Sequence, residues 1–289
     1  MNDIREVVRD AYGKTARGEG EALGHPMTQG RSEEAGCCGP SCCGGPSTTA
    51  DELARKIGYS PEELRALPEG SNLGLSCGNP TAIAALEPGQ VVLDLGSGGG
   101  FDCFVAGPKV GAKGRVIGVD MTPDMIARAR RNLASYRKST GLENVEFRLG
   151  EIEHLPVADR SVDVVISNCV INLSPEKPQV WSEIARVLRP GGRVAASDIA
   201  LLRPLPDAVK AMVEALVGCV AGAVLLDEYR AMVEAAGLVD ARLTPKPEYV
   251  ASLRGFEDPL FRKISEALPE GTAAPDFLTS VDVTARKRA

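Results

Sequence analysis

From Gln90 onward the chain alternates short apolar runs with stretches of helical periodicity, and this alternation restricts the fold more than any other feature. Val91 to Leu95, Arg115 to Asp120, Asn144 to Leu149, Val162 to Asn168 and Arg193 to Ile199 read as five strands. A helix from about Gly100 to Gly111 joins the first two. Thr122-Pro123-Asp124 opens the next helix, which runs to about Lys138 with Met125, Ile126, Ala129 and Leu133 on one face. Ser174-Pro175-Glu176 caps a third that reaches Leu188, where Pro190-Gly191-Gly192 ends it. Such alternation implies parallel strands joined by right-handed helical crossovers, hence an α/β sheet with helices on both faces. Two amphipathic helices, Pro204 to Val220 and Asp227 to Ala236, follow strand five as an expected lid. Val239 to Leu243 and Phe277 to Ala285 read as the last two strands.

Ahead of this unit the chain has a different texture. Asp3 to Arg17 reads as a short helix, and Gly18 to Pro46 is dense in Gly, Ser, Cys and Pro and reads as loop. Asp51 to Lys56 and Pro61 to Leu67 read as short helices. The second carries a cap at Ser60, a proline at its first position and acids in its first turn. The expected division is an extension over 1–70 with the Cys-rich loop, a core over 71–200, and lid helices with the closing strands over 201–289.

Composition excludes some functions. Lys and Arg number 33 and Asp and Glu 39, a net charge of −6, and no basic patch builds up, so no nucleic-acid partner is expected. No segment reads as a signal peptide, and no stretch approaches the ~20 apolar residues of a membrane span. The expected setting is the cytoplasm, without membrane. Only His25 and His154 are present, so histidine-based general catalysis has few candidates. His154 reads as a surface residue, Trp181 as core, and the charged helix from Arg128 to Lys138 as a solvated face.

The run Asp94-Leu95-Gly96-Ser97-Gly98-Gly99-Gly100 follows strand one and opens a helix. Its glycines permit a sharp turn and close approach of a ligand to the backbone. Asp120 ends strand two, 24 residues beyond Gly96, where a carboxylate can accept hydrogen bonds from both hydroxyls of a ribose. The dinucleotide fingerprint is not met, because Phe101 stands where its third glycine would fall. The run instead resembles the first motif of class I S-adenosylmethionine-dependent methyltransferases, a Rossmann-like family. Gly150-Glu151-Ile152-Glu153-His154-Leu155-Pro156 and Arg189-Pro190-Gly191-Gly192 resemble the same superfamily, the matches covering about residues 72–200. The resemblance implies that Asp94, Gly96, Ser97 and Gly98 line the methionine and ribose of S-adenosyl-L-methionine. Asp120 would hold the ribose, Met121 would flank the adenine, and Ile152 and Glu153 would meet the adenine edge. Asn168 and Cys169 would lie near the transferable methyl.

Fold does not name the acceptor, but the eight cysteines narrow it. Leu73-Gly74-Leu75-Ser76-Cys77-Gly78-Asn79-Pro80, Ser167-Asn168-Cys169-Val170-Ile171-Asn172-Leu173 and Val217-Gly218-Cys219-Val220-Ala221-Gly222-Ala223 resemble arsenite methyltransferases. So does Cys37-Cys38-Gly39-Pro40-Ser41-Cys42-Cys43. The chemistry agrees independently. Trivalent arsenic is soft and thiophilic; three thiolates hold it in a pyramid and leave its lone pair free to take a methyl group without a general base. Topology permits the pyramid: Cys169 ends strand four, Cys77 precedes strand one, and Cys219 is expected in or just after the first lid helix. Cys77, Cys169 and Cys219 are the expected arsenic ligands, and Cys103 is expected as core. The Cys37, Cys38, Cys42 and Cys43 cluster is an accessory, open between zinc binding, arsenic capture and electron donation through disulfides. The partners implied are arsenite, methylated trivalent arsenicals, and an external thiol reductant such as thioredoxin or glutathione. Two other readings compete: a methyltransferase of a small carbon or oxygen acceptor such as a quinone precursor, and a thiol-rich metalloid-sequestering protein.

Overall fold

Period-two alternation along the strands decides where the core lies. Val92, Val116, Val164 and Ile166 turn to one face of the sheet and meet Phe104, Ile126, Ala129 and Tyr136. Leu93, Leu95, Ile117, Val119 and Val165 turn to the other and meet Trp181, Ile184, Tyr229 and Val233. Both faces are therefore covered, which is why the strands read as nearly unbroken apolar runs. The computed structural model describes residues 4–19, 50–212, 215, 219–253 and 259–289. Cys37, Cys38, Cys42 and Cys43 lie outside the described residues.

The elements, in chain order, are α1 (Ile4–Arg17), α2 (Ala50–Lys56), α3 (Pro61–Arg65), α4 (Pro80–Ala84), β1 (Val91–Leu95), α5 (Phe101–Val110) and β2 (Arg115–Asp120). There follow α6 (Pro123–Thr140), β3 (Val145–Leu149), β4 (Val162–Asn168), α7 (Lys177–Val187), β5 (Leu188–Leu201) and α8 (Asp207–Lys210). The last part holds α9 (Leu226–Ala235), β6 (Leu238–Lys246), two short helices (Pro247–Leu253 and Pro259–Glu266) and β7 (Leu278–Lys287). The seven strands form one sheet in the order β3-β2-β1-β4-β5-β7-β6. The first five run parallel, and β7 is antiparallel to both β5 and β6. Strand order reverses between β1 and β4. Ligands of open α/β sheets bind in the crevice beyond the carboxyl ends of strands at such a reversal.

The local signals hold well in places. Ser60 Oγ accepts from Glu63 N at 3.1 Å while Glu63 Oε2 accepts from Ser60 N at 2.7 Å, a reciprocal cap on α3. Trp181 and Cys103 are buried, and His154 is exposed.

Three expectations need correction. β5 starts at Leu188, directly after α7, and Pro190-Gly191-Gly192 falls where the β4–β5 register jumps from Val162↔Leu188 to Val164↔Arg193. The Pro-Gly-Gly run thus interrupts a ladder, and α7 has already ended at Val187. The long helix expected over 204–220 is interrupted at Ala211 and Met212, after α8, with Ala215 again helical and the Val220 and Ala221 N–H groups both turned onto Ala215 O. Cys219 sits in that turn with φ +65°, which no helix accommodates. Finally, α6 is not purely solvated: half-buried Arg128 donates to Gly70 O and Ala16 O, each at 2.9 Å, tying the extension to the core.

Candidate functional site

A cavity opens at the crevice beyond β1, β2 and β4. Asp94, Gly96, Ser97, Gly98, Asp120, Met121, Ile152, Glu153 and Asn168 all line it, together with Cys169. The turn after β1 shapes its floor. Gly96 has φ +65°, and a Cβ there would stand 2.3 Å from Val170 Cγ2, so only glycine fits. Gly98 has φ +50° with nothing within 4 Å of the Cβ position, leaving backbone open to the cavity. Gly98 N donates to Asp120 Oδ2 at 2.9 Å, and Thr122 N donates to Asp120 Oδ1 at 2.8 Å. The carboxylate at the end of β2 therefore fixes two successive turns on the rim.

Carboxylates outnumber cations along the cavity wall, Asp94, Asp102, Asp120 and Glu153 against Arg5. Burial pushes Asp94 well above the usual carboxylate range, and the neighbouring Asp102 charge pushes it further. Asp102 is raised to about 6 by burial, against hydrogen bonds from Tyr59 and Asn168 that oppose the rise. Asp120 is raised by burial, opposed by the Thr122 and Gly98 N–H groups. Three desolvated carboxylates around one cavity favour a cationic ligand. Ser97 Oγ is buried without a hydrogen-bond partner, one donor and acceptor left over for a ligand. An S-adenosylmethionine molecule, with its sulfonium and ammonium charges and its ribose, fits this set of donors and acceptors.

Asn168, at the end of β4, joins the cavity to the cysteines. Its Nδ2 donates to Asp102 Oδ2 at 3.0 Å and Gly78 O at 2.9 Å, while its Oδ1 accepts from Cys77 N at 3.1 Å. Tyr59 Oη also donates to Asp102, at 2.5 Å. Ser280 Oγ on β7 donates to Cys77 O at 3.0 Å. Cys77 is thus clamped between β4 and β7 and is 2% exposed.

Cys77 and Cys169 are joined in a disulfide, their Cα atoms 6.1 Å apart. Cys219 Sγ donates to Cys169 O at 2.8 Å. Three cysteines separated by 92 and 50 residues therefore meet around Cys169, the one of the three that lines the cavity. Cys169 and Cys219 both adopt the left-handed region, at φ +53° and +65°. Such backbone costs a non-glycine residue about 1 kcal/mol or more and persists where the surroundings impose it, most often at functional sites. Burial, reinforced by the nearby Asp198 charge, raises the Cys219 thiol well above its ordinary value.

Sequence reasoning missed several of these participants. Arg5, Val8 and Tyr12 of α1 line the cavity, as do Asp102 and Phe101. Asp102 left a faint signal, an acid in the first turn of an otherwise apolar helix. Cys103, read only as core, donates Sγ–H to Asp94 Oδ2 at 3.2 Å beneath the site. Among the described residues no cluster of His, Cys, Asp and Glu has the arrangement of a metal site.

Comparison with known proteins adds to this geometry. The methyltransferase domain family matches residues 86–237. The chain is 48% identical over 246 residues to an arsenite methyltransferase of Halobacterium salinarum, an overlap covering 85% of this chain and 60% of that protein. It is 43% identical to an arsenite methyltransferase of Aquipseudomonas alcaligenes, over 68% of this chain and 57% of that one. The chain thus spans less than two thirds of the length of these curated relatives. Among solved structures, an arsenic (III) S-adenosylmethionine methyltransferase from Chlamydomonas reinhardtii superposes with a TM-score of 0.59 at 33% identity. That overlap covers 82% of this chain and 73% of the other.

Proposed function

The chain belongs to the arsenite methyltransferase family of class I methyltransferases, and from that premise we propose that it methylates trivalent arsenic held by Cys77, Cys169 and Cys219. The observation that carries the reading is the meeting of these three sulfurs beside an acidic cavity suited to a cationic cofactor. When bound, S-adenosylmethionine supplies an electrophilic methyl carbon, which the arsenic lone pair takes without a base. Asp94, Gly96, Ser97 and Gly98 would hold the methionine and ribose end. Asp120 would accept the ribose hydroxyls, and Met121, Ile152 and Glu153 would enclose the adenine.

The chain's own part is ligation and orientation. Arsenite exchanges its hydroxides for thiols, each leaving as water with the proton of the incoming cysteine. A buried, protonated Cys219 suits that exchange, since it need not ionise in advance. Asn168 positions Cys77 through the backbone and faces the cavity through the same amide. The Cys77–Cys169 disulfide must be opened before both sulfurs ligate, which takes two reducing equivalents. An external thiol such as glutathione or thioredoxin is the proposed donor, and Cys37, Cys38, Cys42 and Cys43 are proposed as accessory thiols. A cytoplasmic setting, where thiols are kept reduced, suits such a cycle. An acceptor carbon or oxygen would leave three convergent sulfurs without a role.

The test is arsenic speciation by mass spectrometry after incubating the protein with arsenite, cofactor and a thiol. Methylated arsenic is expected. Serine at Cys169 or Cys219 should lower the rate roughly a hundredfold or more, because a hard hydroxyl replaces a soft sulfur and orientation is lost. Cys77→Ser should be partly spared on a monomethylated arsenical, which needs two thiols. Replacing all four accessory cysteines should slow turnover without abolishing it. A dead accessory variant beside an active Cys169→Ser would move the arsenic site to the extension.

A further inference from the structure

A single side chain grips Cys77 and its neighbour Gly78. Asn168 Oδ1 accepts from Cys77 N at 3.1 Å, and Asn168 Nδ2 donates to Gly78 O at 2.9 Å. Both bonds need the amide one way round. Turned by half a rotation, it would set its NH2 against the Cys77 N–H and its oxygen against the Gly78 oxygen. Asn168 Nδ2 also donates to Asp102 Oδ2 at 3.0 Å. A carboxylate only accepts, so this contact fixes the NH2 end and with it the whole amide.

Asp102 is itself held by a residue from earlier in the chain. Tyr59, in the loop between α2 and α3, donates its Oη–H to Asp102 Oδ1 at 2.5 Å. Tyr59 Oη also accepts from Asn168 Nδ2 at 3.3 Å, so hydroxyl, carboxylate and amide close into one triangle. The Tyr59 ring stands edge-on to Phe101, centroids 4.7 Å apart, in an apolar cluster with Ala54, Leu64 and Val105. Asn79 Nδ2 donates to Gly58 O at 3.0 Å, which ties the same loop to the segment that carries Cys77. Tyr59 and Asp102 are both buried. Asp102 and Asn168 line the cavity and Tyr59 does not. A buried polar chain therefore runs from Tyr59 through Asp102 and Asn168 to the backbone of a cysteine, and such chains hold their geometry only when every member is satisfied.

We propose that Asp102, held by Tyr59, is a positioning residue for Cys77: it fixes the Asn168 amide, and through it the backbone from which the Cys77 sulfur reaches arsenic. This rests on the reading of Cys77 as a ligand. The grip matters once the Cys77–Cys169 disulfide is open, because the sulfur then loses its covalent tether and its backbone sets its place. A ligand held in place before arsenic arrives spares the orientational cost of bringing it there. Inorganic arsenite, which takes three thiols, needs that placement. A monomethylated arsenical, which takes two, does not.

Five proteins test this: the unaltered chain, Asp102→Asn, Tyr59→Phe, Cys77→Ser, and Asp102→Asn combined with Cys77→Ser. An amide at 102 has one oxygen and cannot accept from both Tyr59 and Asn168. Product speciation at a fixed thiol concentration gives kcat/KM for arsenite and for a monomethylated trivalent arsenical. Calorimetry gives cofactor affinity, and thermal melting reports the fold. Asp102→Asn should lower kcat/KM for arsenite roughly tenfold, the effect of one hydrogen bond to a charged group, and hold the monomethylated substrate within about twofold. Tyr59→Phe should shift the same ratio in the same direction and keep cofactor affinity within about twofold; if Asp102→Asn melts early, this variant decides. Added to Cys77→Ser, Asp102→Asn should leave the residual arsenite rate within about twofold, because both changes act through one sulfur. Arsenite binding gives a readout without turnover. The reduced, cofactor-free chain with serine at Cys37, Cys38, Cys42 and Cys43 should bind arsenite about tenfold more weakly when Asp102→Asn is added. Equal losses on the two arsenicals overturn the inference, since Asp102 would then act through the cofactor or the fold. An unchanged arsenite rate in Asp102→Asn overturns it too, as does a full further loss in the Cys77→Ser background. If Cys77→Ser methylates arsenite as fast as the unaltered chain, the ligand reading fails and the inference with it. If the unaltered chain makes no methylated arsenic, the proposed activity fails, and the binding measurement alone decides whether Asp102 places Cys77.

Discussion

Asp120 accepts backbone N–H groups with both of its oxygens, from Gly98 and from Thr122, while it lines the cavity. It therefore shapes the turn and faces the ligand at once. Asp120→Ala would leave both N–H groups without their acceptor and remove the candidate ribose contact. S-adenosylmethionine affinity should fall roughly ten- to a hundredfold, at about 1.5–3 kcal/mol for hydrogen bonds to a charged group. Calorimetric titration is the check, and unchanged affinity would remove Asp120 from the cofactor site. At this scale the sequence was most informative where chemistry and backbone coincide. Asp94 to Gly98 and Asp120 stood out because a glycine run and an acid at a fixed offset have a physical reason to occur together. Asp102 and Tyr12 did not. An acid in the first turn of a helix is ordinary dipole chemistry, and an aromatic residue on an amphipathic helix is ordinary core. Only the folded chain packs Tyr12 into one cluster with Cys219, more than two hundred residues away.

The joint between α5, α6 and β3 shows how elements hold one another. Tyr136 Oη on α6 donates to Asn144 Oδ1 at 2.7 Å, and Asn144 Nδ2 donates to Gly107 O at 2.8 Å and Gly111 O at 2.9 Å at the end of α5. A Cβ at Gly107 would stand 2.1 Å from Tyr136 Oη. Gly107→Ala gains about 1 kcal/mol of helix propensity. It must also displace a buried, hydrogen-bonded ring, and such overpacking costs about 1–3 kcal/mol. The second effect should prevail, so a lower denaturant midpoint at constant slope is expected. A midpoint that holds or rises would mean that α6 can shift without loss. The strands were legible because burial on both faces leaves nothing polar in them. The stretch after β5 was not. Its apolar spacing suits a helix, but Cys219 in the left-handed region turns the chain, and nothing in a cysteine's neighbours announces that.

At the scale of the whole molecule, Asp198 on β5 is the least exposed charged side chain among the described residues, at 1%. It accepts from Asn172 Nδ2 and its neighbour Ile199 N, each at 2.9 Å, with Tyr229 Oη at 3.5 Å. Burial raises it to about 7 despite these bonds and the Lys177 charge. A carboxyl raised on folding binds its proton more tightly in the native state. Stability therefore falls as pH rises from the unfolded value near 4 to the folded value near 7, and levels off above. Between pH 5 and pH 8 this group alone should lower the unfolding free energy by about 2–3 kcal/mol. Asp198→Asn should remove that slope, so denaturation curves of the two proteins should diverge as pH rises. Parallel curves would mean that Asp198 stays ionised throughout. Helix α1, which straps the cavity through Arg5, Val8 and Tyr12, answers to a different variable. Helix α1 is fastened by partly exposed ion pairs from Arg5, Arg9 and Arg17, and such pairs weaken as the Debye length shrinks. Cofactor exchange should then be governed by ionic strength: slow release in dilute buffer, and faster release as salt rises from about 0.05 to about 0.5 M. Stopped-flow displacement of bound cofactor would read this directly, and a rate indifferent to salt would show that the strap is held by its apolar face alone.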